Sequence, residues 1–291
     1  MSKNLKNILI LLRPHQWLKN AFIAAPMFFA FQFTFENIIK ICLGILIFSL
    51  CASAVYVFND IHDVKEDRKH PEKKERPIAS GQVSITTASV LALFLCSTSL
   101  IFAFMLQKMF MFIMIVYILL NILYTLILKH IAIVDITIIS IGFVLRLFAG
   151  SAIIGIETSM WIIIVTFLLA LFLALAKRRD DYIHFIEGKK VRKNIDGYNL
   201  EMINAGMMFL ASVTVVAYIM YSVTPDVIAR MGSDKLYLTT MFVILGILRY
   251  IQLTFVYKKS GSPTNVVLHD RFLQIVIALW LLSFYVIHNM S

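Results

Sequence analysis

The chain runs apolar again and again for about the length a helix needs to cross a bilayer, roughly 20 residues. Such segments fall at 21–35, 38–58, 84–106, 109–128, 131–156, 159–176, 202–224, 236–257 and 271–288. Backbone in lipid must satisfy its own hydrogen bonds, and the runs lack the period-two alternation of barrel strands, so each is expected to be helical. The expected fold is therefore an all-α, polytopic bundle of nine transmembrane helices, with residues 1–291 forming a single membrane-embedded domain. The first segment is short and contains Pro26, so it is expected to borrow length from the residues before it.

Composition agrees with this pattern. Hydrophobic residues make up 60% of the chain and charged residues 15%, against roughly half and a quarter in soluble domains. That excludes an ordinary soluble globule, a disordered chain and a disulfide-rich secreted domain. Cys42, Cys51 and Cys96 all lie inside apolar runs without a C-x-x-C pair, as small hydrophobes do. The net charge of +10 raises the question of nucleic acid. The basic residues, however, sit in the gaps between apolar runs, where they set membrane orientation, and no nucleic-acid partner is expected. Lys3, Lys6, Arg13 and Lys19 precede an apolar stretch as in a cleaved leader, but the segment from Arg13 to Asn20 is too specific for a discarded one.

With the N-terminus in the cytoplasm, 21 of the 27 Lys and Arg fall on the cytoplasmic side and four on the other. Lys40, Lys108, Arg230 and Lys235 are the four; Arg146 and Arg249 lie within apolar segments. The bias implies an integral protein of the cell (plasma) membrane, N-terminus inside and C-terminus outside. Two polar stretches, near 59–83 and 177–200, are then cytoplasmic loops. Both carry acids as well as bases, and acids contribute little to orientation.

The second apolar segment runs into Asn59-Asp60-Ile61-His62-Asp63-Val64-Lys65-Glu66-Asp67. On a continuous helix, at about 100° per residue, Asp60, Asp63 and Asp67 share an arc of about 60°. Like charges stacked on one face repel, so helix stability does not explain them. A divalent cation does: Mg²⁺ takes oxygen ligands and is commonly shared with substrate phosphates. The competing reading is a solvated helix end whose acids pair with Lys65, Arg68 and Lys69. Asn59 and the segment Arg76-Pro77-Ile78-Ala79-Ser80-Gly81 favour the site reading. Arginine presents a fork of donors to phosphate, and Pro77 and Gly81 shape a tight loop.

Asn59-Asp60-x-x-Asp63-x-x-x-Asp67, succeeded by Arg76-Pro77 and Ser80-Gly81, resembles the first aspartate-rich motif of the UbiA-type membrane prenyltransferases. Tyr124-Thr125, Lys129 and Asp135 resemble that superfamily's stretch after its fourth helix. The resemblance covers nearly the whole chain. It implies nine membrane helices and Mg²⁺-diphosphate bound between two motifs on the cytoplasmic side. The second motif departs from the common D-x-x-x-D, reading Lys177-Arg178-Arg179-Asp180-Asp181. In this the chain is similar to the decaprenyl-phosphate phosphoribosyltransferase branch, as it is in Arg13-Pro14-x-Gln16-Trp17-x-Lys19-Asn20, His70-Pro71, Gly142-Phe143-Val144-Leu145-Arg146, Arg249-Tyr250 and Asp270-Arg271.

The branch implies transfer of 5-phosphoribose from phosphoribosyl pyrophosphate to a polyprenyl phosphate, with Mg²⁺ as cofactor and diphosphate released. Asp60, Asp63 and Asp67, with Asn59, are expected to hold the metal and diphosphate. Arg76 and Lys177 or Arg178 are expected to clamp phosphates, and Asp181 to orient Lys177 or bind ribose hydroxyls. Lys19 and Asn20 are expected near the acceptor phosphate. Tyr124, Lys129, Asp135 and Arg146 complete the substrate-binding candidates. A pocket that takes three phosphate groups needs more fixed cations than one that takes a single diphosphate, and Lys177, Arg178, Arg179, Arg76 and Lys19 are expected to supply them.

Two other functions compete. A prenyltransferase acting on an aromatic or quinone-precursor acceptor calls for a carboxylate-rich second motif, which this chain lacks. A transporter calls for an internal repeat and charges at mid-membrane, whereas these acids cluster at one surface. Arg146 and Arg249, ionisable residues within apolar segments, are site candidates unless they snorkel to an interface. The histidines are scattered without metal spacing. A homo-oligomer is compatible with the sequence, which does not decide it.

Overall fold

The computed structural model describes residues 3–70, 73–188, 193–258 and 261–290. Pro71 of the His70-Pro71 signal, and Lys189, Lys190, Arg192 and Lys259 of the charge count, lie outside the described residues. Among the described residues every regular element is helical, as expected. The chain divides into two compact units, residues 1–138 with 142–158, and residues 139–141 with 159–291.

The first unit opens with α1 (Lys3–Leu12), a 3₁₀ helix (Pro14–Ala24) and the short α2 (Ala25–Phe29). Then come α3 (Phe35–His62), α4 (Val64–Asp67), α5 (Ile85–Leu106), α6 (Lys108–Leu126) and α7 (Val134–Ile154). Side chains of the cap residues start several of these. Thr34 Oγ1 accepts from the Asn37 N–H, and Ser84 Oγ from the Thr87 N–H, each satisfying an otherwise orphaned donor. Helix α3 packs most closely on α5. Both helices bury small residues, Ala52 and Ala54 among them on α3 and Ala88, Ser99 and Ala103 on α5, and such residues let backbones approach closely. The opposite face of α5 is left bare, with Leu93 72% and Met105 73% exposed. That asymmetry is the signature of a helix facing lipid.

The second unit holds α8 (Met160–Ile186), α9 (Leu200–Ser222), α10 (Pro225–Met231), α11 (Thr240–Phe255), α12 (Pro263–His269) and α13 (Arg271–Asn289). Here α8 and α9 form the closest pair. Gly206 of α9 sits so near Leu175 that an added Cβ would meet its Cδ2 at 2.8 Å.

Eight helices among the described residues are long and apolar enough to cross a membrane. The ninth apolar segment is not one helix. The 3₁₀ helix rises about 2.0 Å per residue and α2 about 1.5 Å, so the two together cover about 30 Å, a full hydrocarbon core. The segment 21–35 thus does borrow length from the residues before it. It ends at Phe31, whose φ of 54° turns the chain out of the helix. The stretches read as loops near 59–83 and 177–200 are partly helical, because α3 runs on to His62 and α8 to Ile186. The acidic and basic motifs therefore ride on extensions of long helices.

Candidate functional site

Helix α3 does not continue through the acidic motif. It ends at His62, and Asp63, with φ −87° and ψ 4°, joins it to the single turn of α4. The three carboxylates therefore do not ride on one continuous helix. Asp60 and Asp67 converge. Arg76 Nη1 donates to Asp60 Oδ1 at 2.9 Å and lies 2.7 Å from Asp67 Oδ2. Asp63 instead accepts from Lys129 Nζ, reached from beyond α6. Asp60 and Asp67 are each 3% exposed, and carboxylates so buried require cations beside them.

A second guanidinium completes the cluster. Arg13 Nη2 donates to Asp60 Oδ1 at 2.6 Å and lies over the Tyr56 ring at 5.3 Å. Arg13 holds a left-handed φ of 52° at the junction of α1 and the 3₁₀ helix, a conformation that costs a non-glycine residue energy. Arg76 is placed by a tight turn. Val83 N–H donates to the Pro77 carbonyl, Ser80 Oγ to the Arg76 carbonyl, and Arg68 Nε to the Ala79 carbonyl at 3.1 Å. Gly81 supplies the positive φ of 79° that the turn needs. Asn59 Oδ1 accepts from Thr125 Oγ1 at 3.3 Å. Beneath the cluster, Leu11, Val57, Val64, Ile78, Val83 and Ala88 form an apolar floor.

The remaining candidates of the first unit lie on the 3₁₀ helix, α6 and α7. Lys19 is half-buried on the 3₁₀ helix, and Tyr124 is half-buried on α6 one residue before the buried Thr125. Asp135 is fully buried in the first turn of α7, where the helix dipole favours a negative charge. Asn20 and Arg146 are buried together: Arg146 Nε donates to Asn20 Oδ1 at 2.8 Å.

In the second unit, Arg178 is 1% exposed and donates through Nη1 to Asp181 Oδ2, three residues on. Lys177 is half-buried on the same helix. Arg179, counted with the phosphate-binding cations, braces helices instead. It donates to Asn204 Oδ1 and the Thr254 carbonyl, both at 2.9 Å, and stacks on Phe255. Asp180 lies against the Gly261 backbone, where an added Cβ would meet its Oδ2 at 2.3 Å. The doubled acid thus has two different tasks. Arg249 pairs with Asp270 at 2.7 Å between the rings of Tyr257 and Phe272. The Arg249 hydrogen bond is the main cause holding the Asp270 carboxyl below the usual carboxylate range, with the Leu273 N–H assisting against the effect of burial.

No group of three or more His, Cys, Asp or Glu side chains among the described residues is assembled to hold a metal ion. The donor chemistry still fits a hard cation. Asp60 Oδ1, Asp67 Oδ2 and Asp63 Oδ1 carry the ion pairs, which leaves a second oxygen on each carboxylate. Mg²⁺ typically uses one or two carboxylates and completes its shell with water and phosphate.

Buried carboxylates gripped by guanidiniums at one end of an apolar helix bundle define a polytopic membrane protein equipped for anionic groups. Residues 20–276 match the UbiA prenyltransferase family, and the chain belongs to that family; it is an integral membrane enzyme of the transferase class. It is 32% identical over 277 residues to the decaprenyl-phosphate phosphoribosyltransferase of Mycobacterium tuberculosis, spanning 93% of this chain and 90% of that protein. It is 33% identical over 293 residues to the protein of that name from Mycolicibacterium smegmatis, spanning 96% and 92%. Its fold is similar to a UbiA homolog from Archaeoglobus fulgidus solved with DMAPP and Mg²⁺, at a TM-score of 0.70 and 20% identity over the whole of both chains.

Sequence reasoning missed Arg13 as a partner of Asp60, 47 residues apart. The one available signal was the Arg-Pro pair at the mouth of the first apolar segment.

Proposed function

We propose that this enzyme transfers 5-phosphoribose from phosphoribosyl pyrophosphate to a polyprenyl phosphate and releases diphosphate, and that residues 1–291 act as a single membrane-embedded domain. The observation that carries the reading is the Asp60–Asp67 pair held by Arg13 and Arg76. The names of the relatives support the substrate pair. The basic second motif, with only Asp180 and Asp181 as acids, supports it over prenyl transfer to an aromatic acceptor.

In this reaction an oxygen of the acceptor phosphate bonds to ribose C1. The bond from C1 to the diphosphate oxygen breaks, and the leaving group takes the electron pair. A phosphate dianion needs no general base to attack. Arg13 and Arg76 compensate the buried carboxylates and offer their remaining N–H groups to diphosphate oxygens. Lys129, bound to Asp63, presents a further cation beside the same helix end. Mg²⁺, held by Asp60 and Asp67 with Asn59 and Asp63 in support, would neutralise charge developing on the departing diphosphate. Lys177 and Arg178 are assigned to phosphate, with Asp181 orienting Arg178; Lys19 is assigned to the acceptor headgroup. The site is assigned to the cytoplasmic face of the plasma membrane, on the charge bias.

The test is transfer of label from phosphoribosyl pyrophosphate to added polyprenyl phosphate by the purified enzyme in lipid, with Mg²⁺. Label in the lipid fraction is the expected result. Transfer only from a prenyl diphosphate to an aromatic acceptor would overturn it.

A further inference from the structure

The 3₁₀ helix Pro14–Ala24 is 11 residues long, whereas such helices seldom exceed about four. Something must hold it stretched. Along α3, Ser49, Ser53, Tyr56 and Asp60 fall within an arc of about 60°. Each meets the 3₁₀ helix or its cap residue Arg13. Asn20 Nδ2 donates to Ser49 Oγ at 2.8 Å, and Trp17 Nε1 to Ser53 Oγ at 3.0 Å. Ser53 Oγ donates to the Leu12 carbonyl at 2.8 Å, and Arg13 covers Tyr56 and reaches Asp60. A polar ladder therefore climbs from mid-membrane to the acidic cluster.

Arg146 anchors the foot of the ladder. It is 4% exposed and sits 12 residues into α7. Besides Asn20 Oδ1, its guanidinium donates to the Gly142 carbonyl at 2.6 Å and to Tyr117 Oη at 3.3 Å. The rings of Phe48, Tyr117 and Phe143 surround it at 5.0–5.4 Å. No carboxylate among the described residues pairs with it. A lone cation at this depth is expensive and calls for a function. One turn further along α7, Gly150 seats the same segment; a Cβ there would lie 2.0 Å from the Ile23 carbonyl oxygen.

We propose that Arg146 is a positioning residue. Through Asn20 it holds the 3₁₀ helix in register, and that register delivers Arg13 to Asp60. The geometry shows why register matters. The seven steps from Asn20 to Arg13 span about 14 Å as a 3₁₀ helix but about 10.5 Å as an α-helix. Relaxation to α geometry withdraws Arg13 by about 3.5 Å, beyond hydrogen-bonding range of Asp60.

The kinetic part of this inference rests on the proposed diphosphate site, so two readouts are needed. In the transfer assay, Arg146→Met is expected to raise KM for phosphoribosyl pyrophosphate about tenfold with a smaller change in kcat. Arg13→Gln is expected to do the same, and the double variant to be no worse than Arg13→Gln alone. Multiplying losses, or an Arg146→Met enzyme with unchanged KM and only a lowered Tm, overturns the proposal. The second readout needs no turnover. In a Trp161→Phe, Trp280→Phe background, Trp17 emission is expected to shift in both Arg146→Met and Asn20→Ala; an unshifted spectrum in Asn20→Ala overturns the proposal even if Arg146→Met does not fold. Should the wild-type enzyme transfer nothing from phosphoribosyl pyrophosphate, the function fails while the fluorescence still decides the role of Arg146.

Discussion

The two charged helix extensions satisfy their charges in opposite ways. At the end of α3, buried carboxylates are met by cations from far along the chain: Arg13 is 47 residues from Asp60, Arg76 is 16 from Asp60, and Lys129 is 66 from Asp63. At the end of α8, Arg178 finds Asp181 one turn away, and Arg179 turns to the carbonyl that closes α11. The first arrangement draws several elements of its unit to one point. In the second the ion pairs stay within the helix, Arg178 with Asp181 and Asp180 with His184, and Arg179 reaches only neutral oxygens of other helices. Charges gathered from distant segments mark a place the fold was arranged around, and the acidic end is that place.

The largest expected effect tests that difference at its acidic pole. Asp60→Asn or Asp67→Asn should lower transfer by about 10²-fold or more, the scale of losing a charge-stabilising group at a developing anion. Asp181→Asn should cost less, since it removes a local partner. Equal losses at both ends, measured as kcat/KM, would erase the contrast. Next comes stability. Arg76→Met strips the shared cation from two buried carboxylates, and losing one partner of a buried pair costs about 3–5 kcal/mol. Thermal unfolding in detergent should show Arg76→Met well below wild type. Asp63→Asn should fall between, because Asp63 is more exposed than Asp60 and pairs with the one cation Lys129 among the described residues.

The helical fold and the run of crossing segments were legible in the sequence because apolar length is a local property. So was the shared face of Asp60 and Asp67, which helical period alone suggests. The interruption of the helix at Asp63, and its pairing with Lys129, were not legible, because a helical projection carries no warning of where the helix stops. The pairing of Arg13 with Asp60 was not legible because it depends on a 3₁₀ stretch whose side chains bond to α3, far away in sequence. The buried guanidinium of Arg146 stood out as an ionisable residue in an apolar run, yet its partner Asn20 is 126 residues distant. Arg179 was grouped with the phosphate cations by its neighbours in sequence. Its direction on α8 turns it to Asn204 and Thr254 instead.

The smallest expected effect concerns the Arg249–Asp270 pair, an ion pair remote in kind from the acidic cluster. The Asp270 carboxyl is held below its usual range, so its contribution to stability is present above the unfolded carboxylate value, about 3.9. It is lost as pH falls through the lower, folded value. Asp270→Asn should therefore flatten the acid limb of the stability profile while leaving the neutral region little changed. Unfolding midpoints between pH 3 and 6, about the range in which carboxylates titrate, check this.

One measurement reaches the main claim most directly: the initial rate of label transfer from phosphoribosyl pyrophosphate to polyprenyl phosphate, tracked across a Mg²⁺ titration for wild type and Asp60→Asn. The account predicts a Mg²⁺-dependent rate for wild type and a rate lower by about 10²-fold or more for the variant at every concentration of the ion. An Asp60→Asn enzyme that turns over at the wild-type rate would contradict it.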